Sequence, residues 1–171
     1  MTRRARHAAV LVSMVMVLPA CGVNGLNFQQ DDRLTFIAPG DRAKVDLPVT
    51  VSWRVTDFEV TGSDGDDRRD AGYFGVFVDR APQPPEKTQQ WLVRDDQRCR
   101  GVQSCPREYL EQLNIHSTTR TRFVIQRLPE PASNAQRRRE FHEVTIVLLN
   151  GRGERIGESA FTRQFEVDRG L

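Results

Sequence analysis

The stretch "PVTVSWRV" (residues 48–55) decides the fold. Val49, Val51, Trp53 and Val55 alternate with Thr50, Ser52 and Arg54. Side chains alternate across a strand with period two, so the run buries one face and wets the other. Trp53 is expected as a core aromatic, the alternative being a ligand platform. Upstream, "RLTFI" (33–37) reads as a first strand, ended by the turn "APGDR" and followed by a short extended piece in "KVDLP".

Downstream, "YFGVFVDR" (73–80) carries Phe74, Val76 and Val78 on one face and Tyr73 and Phe77 on the other, a pattern for a strand covered on both sides. A proline-rich bend, "APQPPE", ends it, and "QWLV" (90–93) is read as resuming extension. Residues 94–116 hold a loop with two cysteines and one helix expected over about 106–114, packed over the sandwich edge. Pro106 suits a first helical turn, where its missing N–H goes unused, and Glu108 stands near the positive end of the helix dipole. "TRFVIQRL" (121–128), "FHEVTIVLLN" (141–150) and "AFTRQFEV" (160–167) read as further strands. "NGRG" (150–153) is a hairpin signal, "ERIGES" (154–159) is taken to help complete the sheet, and Gly157 is placed at a bulge. Seven to eight short strands with turns between them and one helical excursion predict a mainly β, antiparallel β-sandwich.

Three stretches, "IAPGDRAKVDLPVTVSWRV" (37–55), "YFGVFVD" (73–79) and "HEVTIVLLNGRGERIGESAF" (142–161), resemble immunoglobulin-like or fibronectin-type-III-like domains of bacterial surface lipoproteins. The resemblance implies an immunoglobulin-like β-sandwich over residues 33–169. The chain departs from antibody domains in lacking their inter-sheet cysteine pair, because Cys99 and Cys105 lie too close in sequence for that part.

The N-terminal end carries an address. Arg3, Arg4 and Arg6 precede the short apolar run Ala8–Leu18, which is too short to span a bilayer, since a transmembrane helix needs roughly 20 apolar residues. Basic flank, apolar core and small residues before a break mark a secretory signal. The break, Leu18-Pro19-Ala20-Cys21, resembles the lipobox of bacterial lipoprotein precursors, departing from it at Pro19, where that family usually carries a small or hydroxylated residue. The resemblance implies cleavage of residues 1–20, a diacylglycerol on Cys21, and a lipidated tether over 21–32. Two or more acyl chains anchor a protein stably where one binds only reversibly.

Removing residues 1–20 leaves 151 residues, a fit to one domain. The full chain has 25 basic and 23 acidic residues; without the three arginines of the signal the count is 22 against 23, a net charge of −1. With only Lys44 and Lys87 among the lysines, nothing in the mature chain suggests nucleic-acid binding. Export permits disulfides. With Cys21 acylated, Cys99 and Cys105 are expected to bond to each other, worth roughly 2 kcal/mol for so short a loop. Their spacing suits neither a zinc site nor a Cys-x-x-Cys redox motif.

Chemistry is thinly supplied. His7 leaves with the signal, His116 is read in a polar loop after the helix, and His142 begins an apolar strand. No Gly-x-Ser-x-Gly elbow is present, although a triad assembled across loops is recognised only by geometry. "GRGERIG" (151–157) lacks dinucleotide-binding spacing and a following helix. Asp64, Asp66, Asp67 and Asp70 in "TGSDGDDRRD" (61–70) could offer oxygens to calcium, or form a solvated loop. "QRRRE" (136–140), with Arg120, Arg122 and Arg127 nearby, could meet anionic lipid or acidic cell-wall polymer within a screening length of about 8 Å, or form a solvated loop, the commoner case for such a run.

The expectation is a non-enzymatic, lipid-anchored binding or scaffolding module of the bacterial cell envelope, without a cofactor. Its partners would be the membrane, through the anchor, and an envelope protein or cell-wall polymer. The disulfide-pinned insertion (94–116) would be its contact surface. The alternative is a small-ligand or calcium-binding envelope protein.

Overall fold

The computed structural model describes residues 31–102, 104–128 and 139–168. The signal at 1–20, Cys21, nearly all of the tether, and Arg137 and Arg138 of "QRRRE" lie outside the described residues. Among the described residues there are nine strands: β1 (Leu34–Ala38), β2 (Ala43–Val45), β3 (Val49–Val55), β4 (Glu59–Val60), β5 (Ala71–Val78), β6 (Ile115–Thr118), β7 (Arg122–Ile125), β8 (Arg139–Leu149) and β9 (Phe161–Asp168). They form a three-stranded sheet, β1-β3-β7, and a six-stranded sheet, β2-β9-β8-β5-β4, in which β6 also pairs with β5.

The protein is mainly β, as expected, but its larger sheet is mixed. β2 runs parallel to β9, and β4 parallel to β5. These two strands have three and two residues, too few to carry an alternation readable in sequence. Chain crossings make them parallel. β1 lies in one sheet, and Arg42 N–H donates to the Gln164 carbonyl (2.8 Å), which draws the next residues onto β9 in the other sheet.

β3 behaves as its alternation dictates. Val49, Val51 and Trp53 are buried, while Thr50 and Arg54 are exposed. Trp53 meets Phe74 of the other sheet edge-on, with centroids 5.3 Å apart and planes at 78°, a favoured aromatic geometry. Around this pair lies one core shared by both sheets, with Leu34 and Ile125 from one and Val76, Val144, Ile146, Leu148 and Phe165 from the other.

A second core lies on the other face of the six-stranded sheet. Phe77, Val147 and Leu149 point there from β5 and β8, against Val93, Cys99, Cys105 and Ile115. β5 is thus covered on both sides, as its two apolar faces predict. The cover is the insertion between β5 and β6. It contains a 3-10 turn over Gln89–Val93 and helix α1 (Arg107–Gln112), with Tyr109, Leu110 and Leu113 packed on the second core. Two expectations change here. "QWLV" is a 3-10 turn, closed by Trp91 N–H on the Thr88 carbonyl (3.0 Å), because its apolar residues serve a packed face and not a ladder. The helix is shorter than expected and sits over the face of the sheet, because the outward side chains of β5 and β8 need covering.

The turn at Asn150 closes through Gly153 N–H to the Asn150 carbonyl (2.8 Å). "ERIGES" makes only isolated bridges at Glu154 and Arg155, and Gly157 (φ 67°) lies in the excursion before β9. The register shift instead falls in β1, between Phe36 and Ala38.

Candidate functional site

Cys99 and Cys105 are bonded, with Cα atoms 4.9 Å apart, inside the usual range for a disulfide. Both are buried against the second core. Gln90 grips the loop from both ends. Its side-chain carbonyl accepts from Cys105 N–H (2.7 Å), and its amide donates to the Cys99 carbonyl (3.4 Å). Tyr109 O–H donates to the Asp96 carboxylate, a bond that holds Asp96 below its ordinary pKa and Tyr109 above its own. The insertion is therefore internally braced before it meets the rest of the molecule.

From α1 the chain turns through Asn114 (φ 59°), a residue type that tolerates the left-handed region, and enters β6. His116 thus belongs to a strand, not to a polar loop: the pairing with β5 (Val76↔His116, Phe77↔Ile115) supplies the order that four mostly polar residues do not signal. At residues 119–121 the chain crosses to the three-stranded sheet and continues as β7. β6 and β7 are therefore neighbouring edges of two different sheets.

The two edges differ. Carbonyls of β6 are occupied by the insertion, since Gln89 Nε2 donates to His116 O (3.0 Å) and Arg107 to Ser117 O (3.4 Å). β7 pairs with β3 on one side and, among the described residues, has no strand on the other. Trp53 N–H donates to the Thr121 carbonyl (3.0 Å), and Val51↔Phe123 and Val49↔Ile125 continue that register. Antiparallel bonding alternates, so the backbone N–H and C=O of Arg122 and Val124 point away from β3, out of the sheet edge.

A groove of about 890 Å³ runs along this edge. Arg107, Leu110 and Cys105 form the wall from the insertion, while Ser117, Arg120, Arg122 and Val124 line the edge side. Three arginines and no carboxylate line it. Arg107 is tied to Glu111 (2.8 Å), whereas Arg120 and Arg122 are exposed and make no ion pair among the described residues. A smaller depression of about 450 Å³ shares Phe123 and Val124 and extends to Leu128. There the His116 ring lies 4.8 Å from Phe123, and burial pushes its pKa down, favouring the neutral imidazole.

The other chemical candidates are engaged elsewhere. His142 Nδ1 is 2.7 Å from Asp79 and Nε2 is 3.3 Å from Glu140. Among the described residues no serine is hydrogen-bonded to either His116 or His142. In the acidic loop, Asp64 accepts from Asp66 N–H (3.0 Å), Asp66 pairs with Arg68 (3.0 Å) and Asp67 with Arg152 (3.1 Å). The loop is docked on the Asn150 turn by Gly65 N–H to the Gly151 carbonyl (3.0 Å). Among the described residues no three metal-ligating side chains converge, and no helix is long and apolar enough to cross a membrane.

Comparison with known families, curated proteins and solved structures gives no match. The site therefore stands on its geometry. Sequence inspection pointed to the insertion and to Arg120 and Arg122, but not to the open edge of β7 or to Gln89 and Gln90. An open edge depends on which strands pair, and glutamine spacing carries no period that would reveal a brace.

Proposed function

We propose that the chain is a non-enzymatic binding module of the bacterial cell envelope, with an immunoglobulin-like β-sandwich held at the membrane by a lipid on Cys21. Its contact surface is the groove between the disulfide-braced insertion and β7. One observation carries this reading: among the described residues an unpaired sheet edge faces the braced insertion across a groove lined by three arginines and no carboxylate. A braced wall loses little conformational freedom on binding, so less of the contact energy is spent on ordering. The partner is an envelope component with anionic groups, not a nucleic acid. The lipobox-like Leu18–Cys21 and the pairing of the two remaining cysteines support an exported location.

The test is a photocrosslinker at Leu110, introduced into the full chain in its own envelope. A discrete crosslinked partner is expected, diminished when the probe is moved to Thr50 on the exposed outer face of β3. Equal labelling from both positions would remove the groove from consideration. The anchor is tested by Cys21→Ala, which is expected to abolish acyl labelling and membrane retention; retention without the cysteine would overturn it.

A further inference from the structure

Resting on the binding role proposed for the groove, we infer that its occupant is an acidic polypeptide segment, which adds to β7 as a fourth strand of the three-stranded sheet.

An open strand edge recruits other strands, and proteins usually blunt their edges with bulges, prolines, very short strands or covering segments. The remaining edges here follow that rule. β1 carries a register shift before Ala38 and is followed by Pro39. β2 and β4 are short, and the outward Ser117 carbonyl of β6 accepts from Arg107. β7 is four residues long and carries the charged Arg122, but among the described residues it has no bulge, proline or covering segment. "RFVI" contains no glycine or proline, and its register with β3 is unbroken from Ser52 to Val49. The outward N–H and C=O groups of Arg122 and Val124 are the pattern that strand addition requires.

The groove's charge selects the strand that fits. Side chains of an added strand alternate between the two faces of the sheet. On the outer face they meet Arg122, which lies opposite Ser52, and approach Arg120; toward the insertion they meet Leu110 and Phe123. Carboxylates on the first set would pair with arginines that have no partner among the described residues, and apolar groups on the second would cover Leu110 and Phe123. An anionic polymer without peptide bonds could satisfy the arginines but not the backbone of Val124.

The experiment uses the full chain in detergent micelles and three blocked peptides of about eight residues, long enough to span β7. One alternates Glu with Val, one is the same peptide N-methylated at every second residue, and one replaces Glu with Lys. Inorganic polyphosphate serves as the peptide-free anion. The Glu–Val peptide is expected to bind and slow hydrogen exchange at the Arg122 and Val124 amides by about tenfold or more. N-methylation on the paired edge is expected to abolish that protection, and the Lys peptide to show none. Arg120→Glu with Arg122→Glu, both exposed sites, is expected to weaken binding by roughly tenfold with the circular dichroism spectrum unchanged.

The inference is overturned if saturating Glu–Val peptide leaves both amides unprotected, if the N-methylated peptide binds equally well, or if only polyphosphate engages Arg120 and Arg122. Any of those results combined with a specific crosslink from Leu110 would defeat strand addition while sparing the groove. Loss of the crosslink would defeat the groove itself.

Discussion

Asp79 follows β5 in the left-handed region (φ 52°), and its carboxylate does two jobs there. One oxygen accepts from Glu143 N–H (2.9 Å), and the other faces His142 Nδ1 (2.7 Å). Hydrogen bonding to Asp79 raises the His142 pKa against the opposing effect of burial, with a further contribution from Glu140. A raised folded-state pKa means stability that is complete below the unfolded value of about 6.5 and lost as pH rises through the folded value. His142→Gln, which keeps a donor but cannot charge, is expected to cost about 2 kcal/mol at mildly acidic pH. The cost should shrink toward alkaline pH in urea melts, and a pH-independent cost would assign His142 a packing role alone. Gly72 makes a steric demand of a different kind. It is the second residue of β5, at φ 143°, where a Cβ would collide with the Leu149 carbonyl oxygen. Gly72→Ala is expected to destabilise by about 3 kcal/mol, because the obstacle is backbone and cannot rotate away. A midpoint shift below a third of that size would show that β5 and β8 can separate locally.

The insertion is the element on which the site depends, and it is held by its disulfide, by Gln89 and Gln90, and by the second core. Cys99→Ser with Cys105→Ser removes a closed loop and replaces two buried sulfurs with hydroxyls. The expected loss is about 3 kcal/mol in chemical denaturation, with hydrogen exchange increasing first over residues 94–113. If exchange there stays at its native level, Gln90 and the apolar contacts suffice without the bond. The insertion also marks where sequence legibility ends. β3 could be read directly because its period-two pattern depends on one buried face, and β5 because both its faces are apolar. The Ile115–Thr118 segment could not, since its order comes from pairing with residues 74–77 and from side chains at 89 and 107. The site was partly legible: the arginines and the cysteine pair are composition, whereas an open edge is a consequence of topology.

At the scale of the whole molecule, the six-stranded sheet is a shared wall between two cores. Phe74 and Phe77, three residues apart on β5, belong to different ones. The chain has two tryptophans, one for each neighbourhood: Trp53 between the sheets and Trp91 in the insertion. Single-tryptophan variants, Trp53→Phe and Trp91→Phe, therefore report the two regions separately. With the disulfide intact their denaturant transitions are expected to coincide, because both cores lose the same β5–β8 ladder when it opens. After reduction the Trp91 signal is expected to move to lower denaturant, leaving Trp53 behind. Separate transitions in the oxidised protein would mean that the wall does not couple the two sides.

β3 lies between β1 and β7, so the first described strand and the strand edging the groove are each hydrogen-bonded to it. A pull between the chain before β1 and anything seated on β7 would cross two successive ladders, Leu34–Ala38 against β3 and then β3 against Arg122–Ile125. Drawn along the strand axis, those ladders resist as sets of bonds strained together, not as a seam opened one bond at a time. Trp53, wedged at 5.3 Å against Phe74, couples the middle of that line to the second sheet. In mechanical terms the stretch "PVTVSWRV" is the tie bar of the molecule.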